Sequence, residues 1–496
     1  MTEKVRLEKL IAEKWSFSEP VLWYDGEWWT AQKLFDLAEE DRRILEAAGF
    51  GEGCRLATLL PNCPAFHALC IACWQLGGAV APLNALAGAQ AVGATVQHSM
   101  PALIGASAAL KKHEKDFEPL GVPLAFVDDR GALPDIDAVA AAPLSSPDMA
   151  FLFYTSGTTG TPKGVPLTHE NIYRGITEAI ELAIPGFGDE TVLNVLPNFH
   201  TLGCIVSGTM PLFMGMRQAI RASFMPVEGT LRAIDEAGVT LMITVPTLLH
   251  FLCGAAMKSG WKPQRLTRVV SGGDRLLPVL RDRVAQYLGA RVIEGYGLTE
   301  CSPVLAVQTP EGSPEGSVGP LLPSIQYCLK DIDGSLLSGD EGVLWVKGPS
   351  VASEYFNAPE ITREKFADGY FNTGDMTRVD EHRNVFIMER VSDLIIVGGF
   401  NVYPQEVERV LNEHPQVRES AVVGVERAVT GQIIRAFVIP KEGAALASSD
   451  LVEWCRERLP HYKVPRRVEF VADFPRNALG KVLRRKLREK CVSSDD

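Results

Sequence analysis

One stretch rich in glycine and hydroxyl residues, Tyr154–Val165, constrains the fold more than any other part of the chain. The apolar run before it, Met149–Phe153, has the length and aromatic content of a strand. After it, Thr168 is a candidate N-cap for a helix that begins near His169. Glycines let backbone amides turn toward a ligand, hydroxyls add donors, and Lys163 adds a positive charge. The stretch therefore predicts a phosphate-binding loop between a strand and a helix.

The loop is not a Walker A loop. Counted from Gly157, that pattern needs glycine where Pro162 stands and serine or threonine where Gly164 stands. An ordinary Gly/Thr surface turn is the structural alternative. The sequence of the loop resembles the signature loop of the adenylate-forming superfamily, which includes acyl-CoA synthetases, peptide-synthetase adenylation domains and beetle luciferase. The resemblance implies a catalytic role for Lys163. It also implies that ATP is bound by Thr155, Ser156, Gly157, Thr158, Thr159 and Gly160.

Composition and charge argue against several classes of protein. The 496 residues, 46% of them hydrophobic, can form at least two domains with cores of their own. A formal net charge of −12 disfavours broad nucleic-acid binding. The N-terminus lacks the apolar core of a signal peptide, and ten cysteines are too few for a disulfide scaffold in a chain of this length. We therefore expect a soluble protein in the reducing cytoplasm, with no nucleic-acid partner.

The most apolar window, Phe66–Ala89, is interrupted by polar residues, glycines and a proline. It therefore predicts a buried helix followed by a strand, and not a transmembrane segment. Cys70 and Cys73 form a C-x-x-C pair in this window without a second pair, and core packing explains them better than redox or zinc chemistry. The nine histidines of the chain show no metal-ligand spacing either.

Helical and strand-like segments alternate over most of the chain, which predicts largely parallel sheets covered by helices. A helix is expected over Ala31–Ala48 and a strand over Arg55–Leu60. The Ala/Pro-rich segment Leu133–Pro147 is expected to be an exposed connection. Further strands are expected at Val192–Val195 and Thr240–Ile243.

The pattern changes after Thr309, where glycine and proline become frequent and the strands become short. Gly342–Gly348 is the clearest of these strands, and a small antiparallel subdomain is expected here. A separate α+β pattern follows Arg390. It has helices at Val407–Asn412 and Asp450–Leu459, and strands at Glu419–Val425 and Ile433–Ile439.

These patterns and the resemblance together predict an α/β fold of two domains. Residues 1–390 are expected to form a large N-terminal AMP-binding domain, made of two α/β subdomains and a small β-barrel-like subdomain. Residues 391–496 are expected to form a small, mobile α+β C-terminal domain.

A second motif, Glu294–Glu300, supplies an aromatic ring, a hydroxyl and a carboxylate at the end of an expected strand. A nucleotide site needs a stacking surface, a donor to the phosphate and an anionic ligand for Mg²⁺. A Gly-Tyr-Gly turn by itself is more often structural, but this one resembles the adenylate motif of the superfamily. The resemblance implies that Gly295 and Tyr296 bind ATP, with Tyr296 against adenine. Thr299 would lie near the α-phosphate, and Glu300 would face the metal.

Two further turns are expected in the nucleotide site. Gly272, Gly273 and Asp274 resemble the companion turn that lines the base and the acyl entrance. Asp375 ends a turn-like motif in which a lone aspartate is usually a cap or an Asx-turn. Its match to the ribose motif of the superfamily implies that it accepts hydrogen bonds from both ribose hydroxyls. Arg390 matches the arginine that shares the ribose.

His200 stands where the superfamily places an aromatic or histidine gate beside the carboxylate substrate, and a loop histidine with purely structural contacts is the alternative. Gly398, Gly399 and Phe400 resemble the loop that lines the thiol channel. Paired glycines suit the close approach of a narrow pantetheine arm.

The last motifs concern domain movement and catalysis. Ser392, two residues after the ribose arginine, stands where the superfamily usually has Asp or Lys as its hinge, and Asp393 follows it. A hinge role for Ser392 is implied by position alone. Lys481 matches the lysine that contacts the substrate carboxylate and phosphate during adenylation. The basic run after it, Arg484–Arg488, would ordinarily be a solvated helix face.

The resemblance covers essentially the whole chain, with its motifs in the expected order. It implies activation of a carboxylic acid by ATP and Mg²⁺ as acyl-AMP, followed by thioester formation with CoA. The continuation Thr299–Val304 resembles fatty acyl-CoA ligases, no carrier domain is expected after Lys481, and the insertion typical of fatty acyl-AMP ligases is not apparent. Loading of an acyl carrier protein is the alternative within the enzyme class, and a catalytically silent nucleotide or acyl sensor is the alternative outside it. The sequence leaves open the acid and the oligomeric state, including a homodimer.

Overall fold

The computed structural model describes residues 4–140, 148–156, 162–397, 400–427, 431–477 and 480–492. The chain divides into two compact units. The N-terminal unit comprises Met1–Gln326 and Val346–Phe371, and the C-terminal unit comprises Tyr327–Trp345 and Asn372–Asp496. The domain boundary expected at residue 390 stays a prediction.

Helices and strands alternate along the N-terminal unit. Its helices are α1 (Leu7–Lys14), α2 (Ala31–Ala47), α3 (Pro64–Gln75), α4 (Ala89–Ser99), α5 (Glu114–Phe117), α6 (His169–Ala183), α7 (Met210–Met214), α8 (Val227–Glu236), α9 (Pro246–Ser259), α10 (Pro278–Leu288) and α11 (Pro359–Lys365). Its strands up to residue 307 are β1 (Pro20–Tyr24), β2 (Glu27–Thr30), β3 (Arg55–Leu59), β4 (Ala79–Pro82), β5 (Leu103–Ser107), β6 (Leu124–Val127), β7 (Met149–Ser156), β8 (Pro162–Thr168), β9 (Thr191–Asn194), β10 (Arg217–Ile220), β11 (Leu241–Thr244), β12 (Arg268–Ser271), β13 (Arg291–Tyr296) and β14 (Ala306–Val307).

Two largely parallel sheets form the framework of this unit. The first has the strand order β6-β5-β3-β4-β7-β8, with β8 antiparallel to β7 at one edge. The second has the order β14-β13-β12-β11-β9-β10-β1-β2 and is parallel from β13 through β1, with an antiparallel strand at each edge. The predicted parallel sheets are confirmed, and the strands predicted near Arg55, Val192 and Thr240 are β3, β9 and β11.

The apolar window of the sequence forms α3 and β4, the predicted helix and strand. Cys70 and Cys73 are both buried in α3, and burial raises the pKa of both thiols. They therefore serve as core residues, as expected. Within the described ranges, the structure contains no helix that is long and apolar enough to cross a membrane.

The Ala/Pro-rich connection is buried at one point. Leu133 is buried, and its N–H donates to Asp41 Oδ1 in α2 at 2.8 Å. Burial raises the pKa of the Asp41 carboxyl to about 7. The expectation of an exposed connection is wrong at Leu133, because its amide has a buried partner. Residues 141–147 lie outside the described residues.

The remaining elements include those of the C-terminal unit. The strands are β15 (Gln326–Lys330), β16 (Glu341–Lys347), β17 (Phe366–Ala367), β18 (Tyr370–Val379), β19 (Val385–Arg390), β20 (Ile395–Val397), β21 (Phe400–Val402), β22 (Val417–Arg427), β23 (Gly431–Pro440) and β24 (Arg467–Phe470). The helices are α12 (Pro404–Asn412), α13 (Ser448–Arg456) and α14 (Arg484–Val492).

Strand β18 belongs to both units. Its residue Phe371 pairs with Phe366 of β17 in the N-terminal unit, whereas Asp375 pairs with Arg390 of β19 in the C-terminal unit. The sheet that contains β15, β16, β18 and β19 is the counterpart of the expected small antiparallel subdomain. Strand β16 is the strand predicted around Leu344.

The second sheet of the C-terminal unit has the order β21-β20-β23-β22, and β24 pairs in parallel with β23. Helices α12 and α13 share its apolar core through Val407, Leu411, Leu451 and Cys455. The predicted α+β pattern is confirmed, although α12 begins earlier and α13 ends earlier than expected.

Candidate functional site

The hairpin of β7 and β8 carries the glycine-rich loop. Its strands stay paired up to Thr155 opposite Lys163 and Ser156 opposite Pro162, which are the last described residues on each side of the loop. Lys163 therefore lies on a regular strand next to the loop. The remaining loop residues of the predicted ATP site lie outside the described residues, and their role stays a prediction: Gly157, Thr158, Thr159 and Gly160.

Helix α6 begins at the predicted position after this hairpin. The Thr168 hydroxyl accepts a hydrogen bond from Asn171 N at 3.0 Å, and Asn171 Oδ1 accepts one from Thr168 N at 3.1 Å. This reciprocal pair satisfies two amides that the helix leaves without intrahelical partners. The predicted N-cap is confirmed.

The carboxyl ends of neighbouring parallel strands bring two predicted motifs to one edge of the larger sheet. Strand β12 leads into the turn Gly272–Asp274, and β13 ends at Tyr296 and leads into Thr299 and Glu300. The Gly272 N–H donates to the Thr244 carbonyl at the end of β11 at 3.1 Å. In open α/β sheets, ligands bind at this edge. Gly295 lies within β13, so its backbone is fixed by the sheet.

Close backbone packing requires glycine at one position of the adenylate motif. A Cβ on Gly297 would lie 1.7 Å from the Pro303 carbonyl oxygen. In the companion turn, Gly273 has a φ of +79°, a conformation that glycine adopts without strain. Gly297 therefore allows close backbone packing next to Tyr296, and Gly273 allows the left-handed turn next to Asp274.

Glu300 is buried and held from two sides. It lies in a short 3₁₀ helix, Thr299–Cys301. Its carboxylate Oε1 accepts a hydrogen bond of 2.6 Å from the Tyr355 hydroxyl, and its backbone carbonyl accepts one of 2.7 Å from Ala352 N. Burial and the Glu300 charge raise the pKa of the Tyr355 phenol, so the hydroxyl stays protonated and donates. The carboxylate predicted to face the metal therefore has a fixed orientation.

Tyr355 also contacts the catalytic lysine candidate. The Lys163 Nζ lies 5.6 Å from the centroid of the Tyr355 ring, within the range of a cation–π contact. One buried tyrosine thus joins Lys163 of β8 to Glu300. Tyr355 could not be identified from the sequence, because nothing in its spacing links it to either residue. A tyrosine just before the Phe-Asn-Ala-Pro turn was the single available signal.

A single carboxylate at this place fits Mg²⁺. Among the described residues, no group of three or more His, Cys, Asp or Glu side chains could hold a metal ion. Mg²⁺ does not need such a group, because it is commonly bound through one or two carboxylates together with substrate phosphates. Glu300 fits a magnesium ion that binds together with a nucleotide.

His200 is half-buried in the loop after β9. Its ring lies 4.8 Å from that of Phe199, and its carbonyl accepts a hydrogen bond from Cys204 N at 2.8 Å. Burial lowers the pKa of the His200 imidazole to about 4, so the side chain is neutral at physiological pH. A neutral ring is compatible with a gate beside an acyl chain.

The predicted ribose pair is formed in the C-terminal unit. Asp375 is buried in β18, and its Oδ1 lies 2.8 Å from Arg390 Nε across the β18–β19 pairing. Asp375 is therefore a strand residue and not a turn residue, because it lies within β18 and pairs with Arg390 at the end of the β18–β19 register. The Thr373 hydroxyl accepts a hydrogen bond from Asp375 N at 3.1 Å and fixes the backbone beside it.

Ser392 lies in a short 3₁₀ helix, Val391–Asp393, directly after the ribose arginine. Its carbonyl accepts a hydrogen bond from Arg488 Nη2 at 3.3 Å, and the Asp393 carboxylate accepts one from the same guanidinium at 2.5 Å. Arg484 Nη1 lies 3.8 Å from Asp393. The hinge role of Ser392 stays a prediction, and the charge at this turn is carried by Asp393.

These contacts correct the expected solvated face of the last helix. Leu487 is fully buried, and Arg484 makes a two-point ion pair with Glu408 at 2.8 and 2.9 Å. Arg488 is paired with Asp393. Arg485 and Lys486 follow the prediction, since both are exposed, Arg485 with 58% of its side chain. The prediction was wrong because the acidic partners are far away in the sequence.

Lys481 lies next to Val482, which forms an isolated antiparallel bridge with Arg476. Its N–H donates to Asn477 Oδ1 at 2.9 Å, and its carbonyl accepts a hydrogen bond from Asn477 N at 2.9 Å. Arg476 reinforces the loop by donating to the Gly480 carbonyl at 3.0 Å. The backbone of Lys481 is therefore fixed, and its catalytic role stays a prediction.

Phe400 is exposed at the start of β21, and its ring stacks on that of Tyr462 with centroids 4.8 Å apart. The predicted thiol-channel glycines, Gly398 and Gly399, lie outside the described residues. Tyr462 adds an aromatic surface beside Phe400, and no sequence motif links these two residues.

Family models match both units of the chain. Residues 11–356 match the AMP-binding enzyme model, and residues 406–481 match the AMP-binding enzyme C-terminal domain model. The chain belongs to the AMP-binding enzyme family. The resemblance seen in the sequence motifs is thereby confirmed, and Lys163, Glu300 and Tyr355 all lie within the part that matches the first model.

Named relatives of this AMP-binding enzyme are CoA ligases. A long-chain-fatty-acid–CoA ligase of Yersinia pestis is 35% identical over 354 residues, which cover 70% of this chain and 62% of the relative. A 2-succinylbenzoate–CoA ligase of Geobacillus kaustophilus is 37% identical over 362 residues, which cover 72% of each chain. The chain thus spans less than two thirds of the length of the long-chain relative.

Among solved structures, the o-succinylbenzoate CoA synthetase of Bacillus subtilis, in complex with its acyl-adenylate intermediate, has a TM-score of 0.84. It is 29% identical, and the match covers 98% of this chain and 99% of that chain. The expected mixed α/β fold, with a large N-terminal and a small C-terminal domain, is confirmed by this likeness.

Proposed function

We propose that this protein activates a carboxylic acid with ATP as an acyl-adenylate and then transfers the acyl group to the thiol of CoA. The observation that carries the proposal is the pair Lys163 and Glu300, which both contact Tyr355 beside the glycine-rich hairpin. A cation and a buried carboxylate are the groups that nucleotide phosphates and their metal need. The CoA ligases among the relatives support the same chemistry.

In the first step, a carboxylate oxygen of the acid attacks the α-phosphorus of ATP. A new O–P bond forms, the bond to the bridging oxygen breaks, and pyrophosphate leaves. Lys163 would neutralise charge on the phosphates, and Thr299 would donate to the α-phosphate. A Mg²⁺ ion held by Glu300 and the phosphates would supply further neutralisation of the leaving pyrophosphate.

Residues of the C-terminal unit have complementary roles in this step. Asp375 would accept hydrogen bonds from the ribose hydroxyls, and Arg390, its ion-pair partner, would hold the carboxylate in place. Lys481 would contact the substrate carboxylate and the α-phosphate. It would hold two like charges together while the new bond forms.

In the second step, the thiol of CoA attacks the acyl carbon of the adenylate. The thioester bond forms, the bond between the acyl carbon and the phosphate oxygen breaks, AMP leaves, and the thiol proton passes to solvent. Phe400 and Tyr462 offer a stacked aromatic surface where a pantetheine arm would pass. The neutral His200 ring would lie beside the acyl group without adding a charge.

The acid is proposed to be a fatty or related carboxylic acid. The relatives include ligases for long-chain fatty acids and for 2-succinylbenzoate, which differ in shape and polarity. The carboxylate is the group that these acids share, and it is the group that reacts with ATP in the proposed first step.

The test is acid-dependent release of pyrophosphate from ATP across fatty acids of different chain length and a set of aromatic acids. Products are then identified by mass spectrometry with CoA or with a holo-acyl carrier protein as the acceptor. The expected result is acyl-CoA, with pyrophosphate release lost in Lys163→Ala and retained in the control Lys365→Ala. Acyl-AMP that acylates the carrier but not CoA would overturn the choice of thiol. Absence of pyrophosphate release with every acid would overturn the enzyme assignment in favour of a sensor.

A further inference from the structure

A short segment of the N-terminal unit, Pro349–Phe356, connects three parts of the candidate site, and we name it the strap. The Asn171 side chain of α6 donates to the Pro349 carbonyl at 2.7 Å. Ala352 N donates to the Glu300 carbonyl at 2.7 Å. At the far end, Phe356 N donates to the Gly164 carbonyl of β8 at 2.8 Å. The strap is therefore bonded to the helix, to the 3₁₀ turn and to the hairpin.

The strap packs too closely for side chains at two facing glycines. A Cβ on Gly175 of α6 would lie 2.7 Å from Ser350 Cβ. A Cβ on Gly164 of β8 would lie 3.1 Å from Phe356 Cβ. Such close approach leaves little room for the strap to shift, because packed interiors are dense and resist displacement.

Tyr355 is the strap residue that points its functional group at Glu300. Its backbone N–H donates to the Thr362 hydroxyl at 3.0 Å, and its ring packs edge-on against Phe366 with centroids 5.7 Å apart. The side chain is held at the backbone, at the ring and at the hydroxyl, where it donates to Glu300. A side chain fixed at three points can fix the group it touches.

The two contacts of Tyr355 use different parts of the side chain. The hydroxyl bonds to Glu300 Oε1 at 2.6 Å, whereas the ring faces Lys163 Nζ at 5.6 Å. Substitution by phenylalanine removes the first contact and keeps the second. The two roles can therefore be separated by experiment.

We propose that Tyr355 is a positioning residue, whose hydroxyl orients the Glu300 carboxylate toward a nucleotide-bound divalent cation and whose ring orients Lys163 beside it. This inference rests on the proposed function, in which Glu300 faces Mg²⁺. Tyr355 acts through these two residues and does not itself touch the substrate.

The first measurement is a titration of the purified full chain with Mn²⁺, which substitutes for magnesium. Binding is detected by electron paramagnetic resonance in the presence of ATP and without acid. Tyr355→Phe should weaken Mn²⁺ binding on the order of tenfold, the change expected in an equilibrium constant when one hydrogen bond to a charged group is lost. In the activity assay, the Mg²⁺ concentration for half-maximal pyrophosphate release should rise by a similar factor. Tyr173→Phe, which removes a hydroxyl from a half-buried tyrosine of α6, is the matched control and should change neither value.

A double-mutant cycle with Glu300→Gln separates positioning from general packing. If Tyr355 acts through Glu300, Tyr355→Phe adds no further loss of Mn²⁺ binding to Glu300→Gln, because interacting residues are not additive. Tyr355→Leu should in addition reduce maximal pyrophosphate release below that of Tyr355→Phe, since it also removes the ring that faces Lys163.

The outcomes distinguish this inference from the proposed function. Wild-type Mn²⁺ affinity in a folded Tyr355→Phe variant, or full additivity with Glu300→Gln, would overturn the positioning role. If the wild-type protein released no pyrophosphate with any acid, the proposed function would be overturned. The Mn²⁺ titrations would still decide the role of Tyr355.

Discussion

At the scale of single residues, the ion pair of Asp375 and Arg390 has one buried and one accessible partner. Asp375 is 2% exposed, whereas the Arg390 side chain is 42% exposed. A guanidinium that reaches solvent can keep its own hydration when its partner changes. Substitution of Asp375 should therefore destabilise the folded protein less than substitution of one partner in a fully buried ion pair.

Asp375→Asn should raise the KM for ATP at least tenfold. The variant keeps the shape of the side chain but loses the charge that strengthens hydrogen bonds from the ribose hydroxyls, each worth about 1.5–3 kcal/mol. The measurement is the ATP dependence of acid-stimulated pyrophosphate release. Asp333→Asn, at an exposed turn where the carboxylate accepts from Ser335 N, is the control. An unchanged KM in a folded Asp375→Asn protein would contradict the ribose role.

The buried side chain of His67 should make the stability of the folded protein depend on pH. Burial alone lowers the pKa of its imidazole to about 4, compared with about 6.5 in an unfolded chain. Between these values the unfolded chain binds a proton that the folded protein does not, so stability falls as the pH falls from about 6.5 toward 4. At pH 5.5 the loss from this one residue is about 1 kcal/mol relative to neutral pH.

His67→Leu should therefore make the melting temperature less dependent on pH over this window, whatever its effect at pH 7.5. The comparison is the slope of Tm against pH between 7 and 5 for wild type, His67→Leu and the exposed-site control His382→Leu. Equal slopes for all three proteins would show that His67 titrates alike in the folded and unfolded states.

At the scale of elements, the sequence predicted contacts between residues that are close along the chain. It did not predict contacts between residues that are far apart along the chain. Thr168 and Asn171 are three residues apart, so the cap of α6 could be predicted from the sequence itself. Tyr355 is 55 residues from Glu300, and no local pattern encodes that hydrogen bond. The adenylate motif could be placed at a strand end, but the tyrosine that orients its carboxylate could not be identified.

Helix α14 illustrates the same limit. Its basic residues suggested a solvated face, because charge patterning within one helix says nothing about acidic groups elsewhere. Arg484 pairs with Glu408 and Arg488 with Asp393, which lie 76 and 95 residues away along the chain. The helix is consequently tied to the turn that contains Ser392.

Arg488→Gln tests this tether. The variant removes the ion pair with Asp393 and weakens the hydrogen bond to the Ser392 carbonyl. We expect the backbone amides of residues 391–394 to exchange hydrogen roughly threefold to tenfold faster, as the loss of one part-buried hydrogen bond implies. Hydrogen-exchange mass spectrometry measures this directly. Arg485→Gln, at an exposed position of the same helix, is the control. Equal exchange rates in the two variants would show that Arg488 does not restrain the turn that contains Ser392.

At the scale of the whole molecule, the predicted catalytic groups are divided between the two units. Lys163 and Glu300 belong to the N-terminal unit, whereas Asp375, Arg390 and Lys481 belong to the C-terminal unit. Motif order along the chain was sufficient to predict the α/β class, and the roles of the site residues stay predictions. It could not assign each residue to a unit, because residues 327–345 and 372–390 group with the C-terminal residues through contacts in space.

This division makes Lys481 the residue that best separates the two proposed half-reactions. If Lys481 contacts the acid carboxylate and the α-phosphate only during adenylation, its removal should affect the first step and spare the second. Loss of one preorganised donor typically lowers the rate on the order of 10²–10³-fold. Lys481→Ala should therefore lose most of its acid-dependent pyrophosphate release, yet still convert supplied acyl-AMP and CoA into acyl-CoA at close to the wild-type rate.

The control for Lys481→Ala is Lys486→Ala, which removes an exposed lysine of α14 close in sequence and should leave both rates unchanged. The two half-reactions are measured separately, by pyrophosphate release from ATP and by thioester formation from synthetic acyl-AMP. Wild-type rates for both steps in Lys481→Ala would show that Lys481 is a surface lysine with no catalytic role. Equal impairment of both steps in a folded Lys481→Ala protein would mean that the lysine stays at the reacting atoms throughout, and that thioester formation does not require its withdrawal.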